Sequence, residues 1–187
     1  MSAGARSTTI TYGNMKFLIC IMPNLFYMRH YIEDLQRYGV RTLVKTCDCS
    51  YSLHPFDNAG IDVLELVFPN GQFPSKTVIE DWLAIVKDHF LKHPKTALAV
   101  HCRCGLGRSA VLVAIALMES GVSPFDVVEF IQTARRGTFN DLQYDRIWQY
   151  KPGNRLSFVD EPDDDPKKSQ SVKLVFFDAY TNWIKNA

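Results

Sequence analysis

The sequence predicts an α/β fold with a central, mostly parallel sheet flanked by helices. Three observations carry that reading. Segments rich in Val, Ile, Leu and Thr alternate with segments whose apolar residues recur at three- and four-residue steps, the order of strand–helix–strand units. The short run Ala97-Leu98-Ala99-Val100 has no polar face, as suits a strand covered on both sides. It leads through a glycine loop into Ala110-Val111-Leu112-Val113-Ala114-Ile115-Ala116-Leu117-Met118, apolar all round and therefore a core helix.

Residues 10–12 and 17–21 read as strands, joined through the hairpin signal Gly13-Asn14. A helix is expected near residues 31–38, stopped by Gly39. Residues 42–46 and 61–67 are further strand candidates. Ser75 opens a helix in which Val78, Ile79, Trp82, Leu83, Val86 and Phe90 share one face, and Pro94 ends it. After the core helix at residues 109–120, Ser123-Pro124-Phe125-Asp126 combines a cap, a proline in the first turn and an acid. That helix ends near Gly137, and Asn140 caps another through Tyr150.

Composition is that of a globular chain: 187 residues, 47% hydrophobic and 22% charged. One domain is expected over residues 1–158, an acidic and polar linker over 159–171, and an amphipathic segment over 172–187. In that last segment Val172, Val175, Phe176, Ala179, Tyr180, Trp183 and Ile184 recur at helical spacing, with an added strand as the alternative. A net charge of +1 gives no global attraction to nucleic acid. No apolar run reaches the roughly 18 residues of a membrane span, and residues 1–9 hold no signal-peptide core. The expected location is cytoplasmic or nuclear, or peripheral to a membrane. There the five cysteines are free or catalytic rather than a disulfide framework.

The chemistry concentrates in His101-Cys102-Arg103-Cys104-Gly105-Leu106-Gly107-Arg108-Ser109. A turn carrying Gly105 and Gly107 can point the N–H groups of residues 103–108 inward as an anion nest, and the next helix adds its N-terminal dipole. Arg108 offers a planar clamp for two phosphate oxygens. The same field favours the thiolate of Cys102, which makes it a nucleophile toward phosphorus. Ser109 can donate to that thiolate as it leaves. His101 reads as a buried neighbour of the loop. Cys102 and Cys104 lack a second ligand pair at zinc spacing, with Cys47 and Cys49 as the remaining candidates for a metal.

This loop resembles that of the protein tyrosine phosphatase superfamily, and the chain is similar to its phosphatase of regenerating liver (PRL) subfamily. The resemblance runs through Ile10-Thr11-Tyr12-Gly13-Asn14-Met15-Lys16-Phe17-Leu18-Ile19, Tyr38-Gly39-Val40-Arg41-Thr42-Leu43-Val44, Cys47-Asp48 and Asp81-Trp82-Leu83. It continues in Arg135-Arg136-Gly137-Thr138-Phe139-Asn140 and Arg155-Leu156-Ser157-Phe158. It implies a compact dual-specificity-phosphatase fold, no cofactor, and phosphotyrosine or phosphoserine/threonine proteins as substrates. It also implies membrane magnesium-transport proteins as partners and, for Cys47, a disulfide with Cys102. The alternative for Cys47 is a small buried hydrophobe at a strand end.

Three departures stand out. Asn70 falls where the family carries the aspartate that protonates the leaving group, so turnover is expected to be slow. Ser109 follows the loop arginine where PRL members usually have alanine. The last residues, Trp183-Ile184-Lys185-Asn186-Ala187, hold no cysteine for a prenyl anchor. Asp48 is a candidate surrogate acid. Arg135-Arg136 reads as a charged helix end, or as a contact for acidic substrates or lipid headgroups.

Overall fold

The computed structural model of the chain describes residues 7–156 and 173–175. Strands β1 (Thr8–Tyr12) and β2 (Met15–Ile21) form the expected hairpin. Strands β3 (Val40–Lys45), β4 (Asp62–Glu65) and β5 (Ala97–Cys102) run parallel to β2, with β5 between β2 and β3. A short β6 (Lys173–Val175) pairs antiparallel with β1, giving the order β4-β3-β5-β2-β1-β6. The helices are α1 (Met28–Arg37), α2 (His54–Asn58), α3 (Lys76–Lys92), α4 (Arg108–Glu119), α5 (Pro124–Ala134) and α6 (Asp141–Gln149).

Strand alternation explains why the central strands look apolar throughout. Phe17, Ile19, Val44, Leu98 and Val100 join the core that includes residues of α3, α4, α5 and α6. Leu18, Cys20, Leu43, Ala97 and Ala99 join a second core with residues of α1 and α2. Both sheet faces are therefore covered, and period-2 polarity is lost. All of α4 is buried, and Trp82 Nε1 donates to Leu112 O at 2.7 Å, tying α3 to it. The helix starts follow the caps: Ser75 accepts from Val78 N and Ser123 from Asp126 N. Asn140 and Gln143 close a reciprocal capping box at α6.

Two expectations are corrected, and one open alternative is decided. Helix α1 begins at Met28, after a 3₁₀ turn at Leu25–Tyr27 capped by Asn24. Strand β4 ends at Glu65, and beyond it the buried Leu66 and Phe68 turn into the core as the chain leaves the sheet. Within the amphipathic segment expected over 172–187, Lys173–Val175 is strand rather than helix. The second edge of β1 offers backbone groups that a helix would leave unpaired. The linker 159–171 and residues 176–187 lie outside the described residues. Helix α2, five residues long, is too short to show a helical period and was not expected.

Glu119 ends α4 and anchors the chain beyond α6. Its fully buried carboxylate accepts from Tyr150 Oη (2.5 Å), Gly153 N (3.0 Å), Arg155 N (3.0 Å) and Arg155 Nη2 (2.6 Å). Burial alone would raise its pKa. The bonds from Arg155, Tyr150 and the backbone outweigh burial and hold the carboxyl down at about 2. A depressed folded-state pKa contributes stability above the ordinary carboxylate range and loses it as pH falls toward 2. Glu119→Gln is therefore expected to cost about 2–3 kcal/mol at pH 7 and distinctly less near pH 3, read by urea unfolding. An equal cost at both pH values would contradict this role.

Candidate active site

The loop expected to carry the chemistry joins β5 to α4, at the carboxyl end of the central parallel strand and the amino end of the buried helix. Cys102, the last residue of β5, is buried and sits opposite Ile21 of β2. Arg103, Cys104 and Leu106 are exposed, whereas Gly105 is buried. Gly105 adopts φ 66, and a Cβ there would lie 2.7 Å from Arg135 Nη2 and 2.8 Å from Cys20 O. Only glycine suits both the conformation and the space.

Two loop carbonyls are held from outside. Arg103 O accepts from Met22 N at 3.4 Å, and Cys104 O from Arg135 Nη2 at 3.4 Å. In a trans peptide the N–H opposes its carbonyl, so the Cys104 and Gly105 amides point away from those partners. The Leu106–Gly107 peptide is turned the other way. Leu106 O accepts from the Cys102 thiol at 2.9 Å, and Gly107 N donates to Thr138 O at 2.7 Å. The Leu106 carbonyl thus faces the Cys102 sulfur, and one loop amide is spent on Thr138 O.

Arg108 opens α4 and is buried. Its Nη1 donates to Thr46 O and Phe68 O, each at 3.2 Å, which ties it to the chain after β3 and after β4. Its Nε is buried without a partner among the described residues. Ser109 is also buried, and its Oγ makes no hydrogen bond, to Cys102 or otherwise, among the described residues. His101 is fully buried and pairs through Nε2 with Tyr51 Oη at 2.8 Å. Burial, opposed by a bond to the Cys102 backbone and aided by Lys45, lowers its pKa to about 4 and keeps it neutral.

The segment expected to carry the acid lies beside this loop. Asn70 is exposed in a turn in which Gln72 N donates to Pro69 O at 3.3 Å. The start of α6 holds that turn: Asn140 Nδ2 donates to Gly71 O at 3.0 Å, and Gln143 Nε2 to Gln72 O at 3.3 Å. Gln143 also stands against Gly107, where a Cβ would meet its side chain at 3.2 Å. Sequence reasoning placed Asn140 as a cap and did not single out Gln143. The Asn140 and Gln143 side chains do both jobs, and spacing shows only the cap.

Arg135 stands at the end of α5, as expected of a charged helix end, but its side chain turns inward. It is buried, bonds Cys104 O and Thr8 Oγ1, and so supports the loop from below, while Arg136 is exposed. Cys47 is buried two residues past β3, with its sulfur 3.7 Å from that of Cys49. Burial first, then the hydrogen bond and charge of Cys49, pushes the Cys47 thiol up to about 12, although Arg108 opposes the rise. Asp48 is exposed between the two cysteines.

Comparison with known proteins agrees with this geometry. The family model described as "Tc-R-P: Polymorphic toxin system, DSP-PTPase phosphatase" matches residues 27–122. The chain is 42% identical over 151 residues to protein tyrosine phosphatase type IVA 3 of Bos taurus, covering 81% of this chain and 87% of that relative. It is 41% identical over 147 residues to the PRL-1 phosphatase of Drosophila melanogaster, covering 79% and 84%. A protein tyrosine phosphatase of Leishmania major has a similar structure, with a TM-score of 0.72 at 33% identity over 78% of this chain and 99% of that one. Kinase-associated phosphatase, at 14% identity and a TM-score of 0.62, covers 76% of this chain and 92% of its own, and supports the dual-specificity-phosphatase fold. From the loop between β5 and α4 to the helix caps, the chain belongs to the PRL, or type IVA, family of protein tyrosine phosphatases.

Proposed function

We propose that the chain is a protein phosphatase, hydrolysing phosphotyrosine and also phosphoserine or phosphothreonine monoesters through a cysteinyl-phosphate on Cys102. The observation that carries this reading is the buried Nε of Arg108, without a partner among the described residues, beside a loop that already turns two carbonyls outward. A phosphate dianion would engage Arg108 and draw the Leu106–Gly107 peptide round, so that the Gly107 N–H faces the anion. The thiol then loses its acceptor and gives its proton to solvent. Cys102 Sγ attacks phosphorus, forming the S–P bond as the P–O bond to the leaving group breaks. Asn70 has no proton to give, so the leaving oxygen takes one from water and the step is slow. Water then displaces the thiolate from phosphorus, with Ser109 Oγ placed by this reading to donate to the departing sulfur. Phosphate release from an aryl phosphate, silenced by Cys102→Ser, tests the proposal.

A second reading is favoured by Asn70 and by the inward Leu106 carbonyl: a phosphatase-shaped module that docks partner proteins, membrane magnesium transporters among them, with little turnover. Partner capture by a chain that releases no phosphate would select it.

Cys47 is the residue we assign as the oxidation partner of Cys102. Peroxide would convert the Cys102 thiolate to a sulfenic acid. The Cys47 thiolate would then attack that sulfur, expelling hydroxide, which leaves as water. A Cys47 thiol pushed up to about 12 is mostly protonated at neutral pH. Disulfide formation, followed by peptide mapping after mild peroxide, is therefore expected to accelerate as pH rises from 7 to 9. Mapping that finds only Cys102–Cys104, or only over-oxidised Cys102, would refute the assignment.

A further inference from the structure

Three ligand-type side chains converge beside the loop, and phosphate-ester chemistry has no use for all of them together. Cys47 and Cys49 stand two residues apart on the chain leaving β3, and His101 comes from β5 immediately before Cys102. One nitrogen of His101 and the two sulfurs all lie within 4.8 Å of one another, the sulfurs 3.7 Å apart. Two thiolates sharing a tetrahedral zinc ion at about 2.3 Å each stand about 3.8 Å apart. A disulfide would need them at about 2.0 Å. The sulfurs, now in hydrogen-bond contact, could therefore take a shared ion with little change in their separation.

We propose that Cys47, Cys49 and His101 form a binding site for one zinc-class divalent cation, with the fourth position open to solvent. The donor set of two soft thiolates and an imidazole suits zinc and disfavours magnesium or calcium. Cys47 and His101 are buried and rigidly placed, while Cys49 is half-buried and gives the ion a way in. Two neighbours shape the site. Lys45 Nζ donates to Cys49 O at 3.0 Å, fixing the Cys49 backbone, and Tyr51 Oη holds His101 Nε2 at 2.8 Å. On binding, the two thiol protons pass to the buffer, and Tyr51 moves aside if Nε2 is the ligating atom. The bound ion occupies Cys47 and so withholds it from any disulfide. The site does not depend on Cys102 being a nucleophile.

The test uses the full chain with Cys102→Ser in the background, so that the loop thiol cannot bind the probe. Titration with Co²⁺ should give one equivalent of a tetrahedral, two-thiolate spectrum that Zn²⁺ bleaches. Adding Cys49→Ala should weaken Co²⁺ binding by about 10²-fold or more, whereas adding Cys104→Ala should not change it. In the presence of Zn²⁺, Cys47 and Cys49 should resist alkylation together, read by peptide mass. Cys49→Ser serves as a second variant if the alanine form melts early. A spectrum unchanged by either Cys49 substitution, or no thiolate band with Co²⁺ in excess, overturns the site. Phosphate release by Cys49→Ala with its other cysteines intact is measured in parallel, so a failed metal site is not confused with a failed phosphatase reading.

Discussion

Replacing Cys102 with serine is expected to lower phosphate release by on the order of 10⁴–10⁶-fold, the scale on which loss of a covalent nucleophile reads in other hydrolases. The fold should survive. Cys102 is 3% exposed at the end of β5, and serine fits that space and can still donate to Leu106 O, as the thiol does. The melting temperature should therefore move little, and vanadate, a phosphate mimic, should still bind. In the wild type vanadate should shield Cys102 from alkylation. In Arg108→Ala that shielding and turnover should both disappear. The guanidinium is the buried cation of the loop, and its loss also leaves Thr46 O and Phe68 O without their donor. A small loss of stability is expected with it, so the Cys102 variant, not the Arg108 variant, decides the chemistry. Undiminished turnover in Cys102→Ser would place the activity elsewhere.

Asn70→Asp is expected to raise turnover of phosphoserine peptides toward the roughly 10²–10⁴-fold that a positioned acid supplies, at the lower end of that range. Acidic phenols should gain much less, because their oxygens leave without a proton. The structure gives a reason to expect the new carboxyl to be useful without remodelling. The turn carrying Asn70 is held by Asn140 at Gly71 O, by Gln143 at Gln72 O and by Arg108 at Phe68 O. Those contacts use backbone carbonyls and leave the residue-70 side chain exposed. Rates for a series of leaving groups, with chemistry shown to limit turnover, check the expectation. No gain would mean that another residue, such as Asp48, already serves as the acid, and an equal gain for all leaving groups would rule out proton donation as its source.

Much of the scaffold was legible because its determinants are local. Ser75, Ser123 and Asn140 cap their helices through backbone atoms three residues away. The glycine loop between an apolar strand and an apolar helix carries its own geometry, and the runs Ala97–Val100 and Ala110–Met118 could be placed in the core from composition alone. Family resemblance added what spacing could not, namely the significance of Asn70 and Cys47. At Lys173–Val175 the sequence left helix and strand both open, and pairing with the edge of β1 decided for strand.

The amino-acid sequence by itself determined most of the element order, the buried helix and the position of the cysteine-and-arginine loop, since each depends on neighbours within a few residues. Only tertiary structure decided the contacts that tune the site. Arg135 reaches Cys104 O across 31 residues, and Asn140 reaches Gly71 O across 69. Cys47 and Cys49 meet His101 because β3 and β5 lie side by side in the sheet. The Leu106–Gly107 peptide illustrates the physical reason. Glycine at residue 107 permits either orientation at similar cost, so local sequence is indifferent. The choice falls to Thr138 O and the Cys102 thiol, which packing brings to opposite sides of that one peptide.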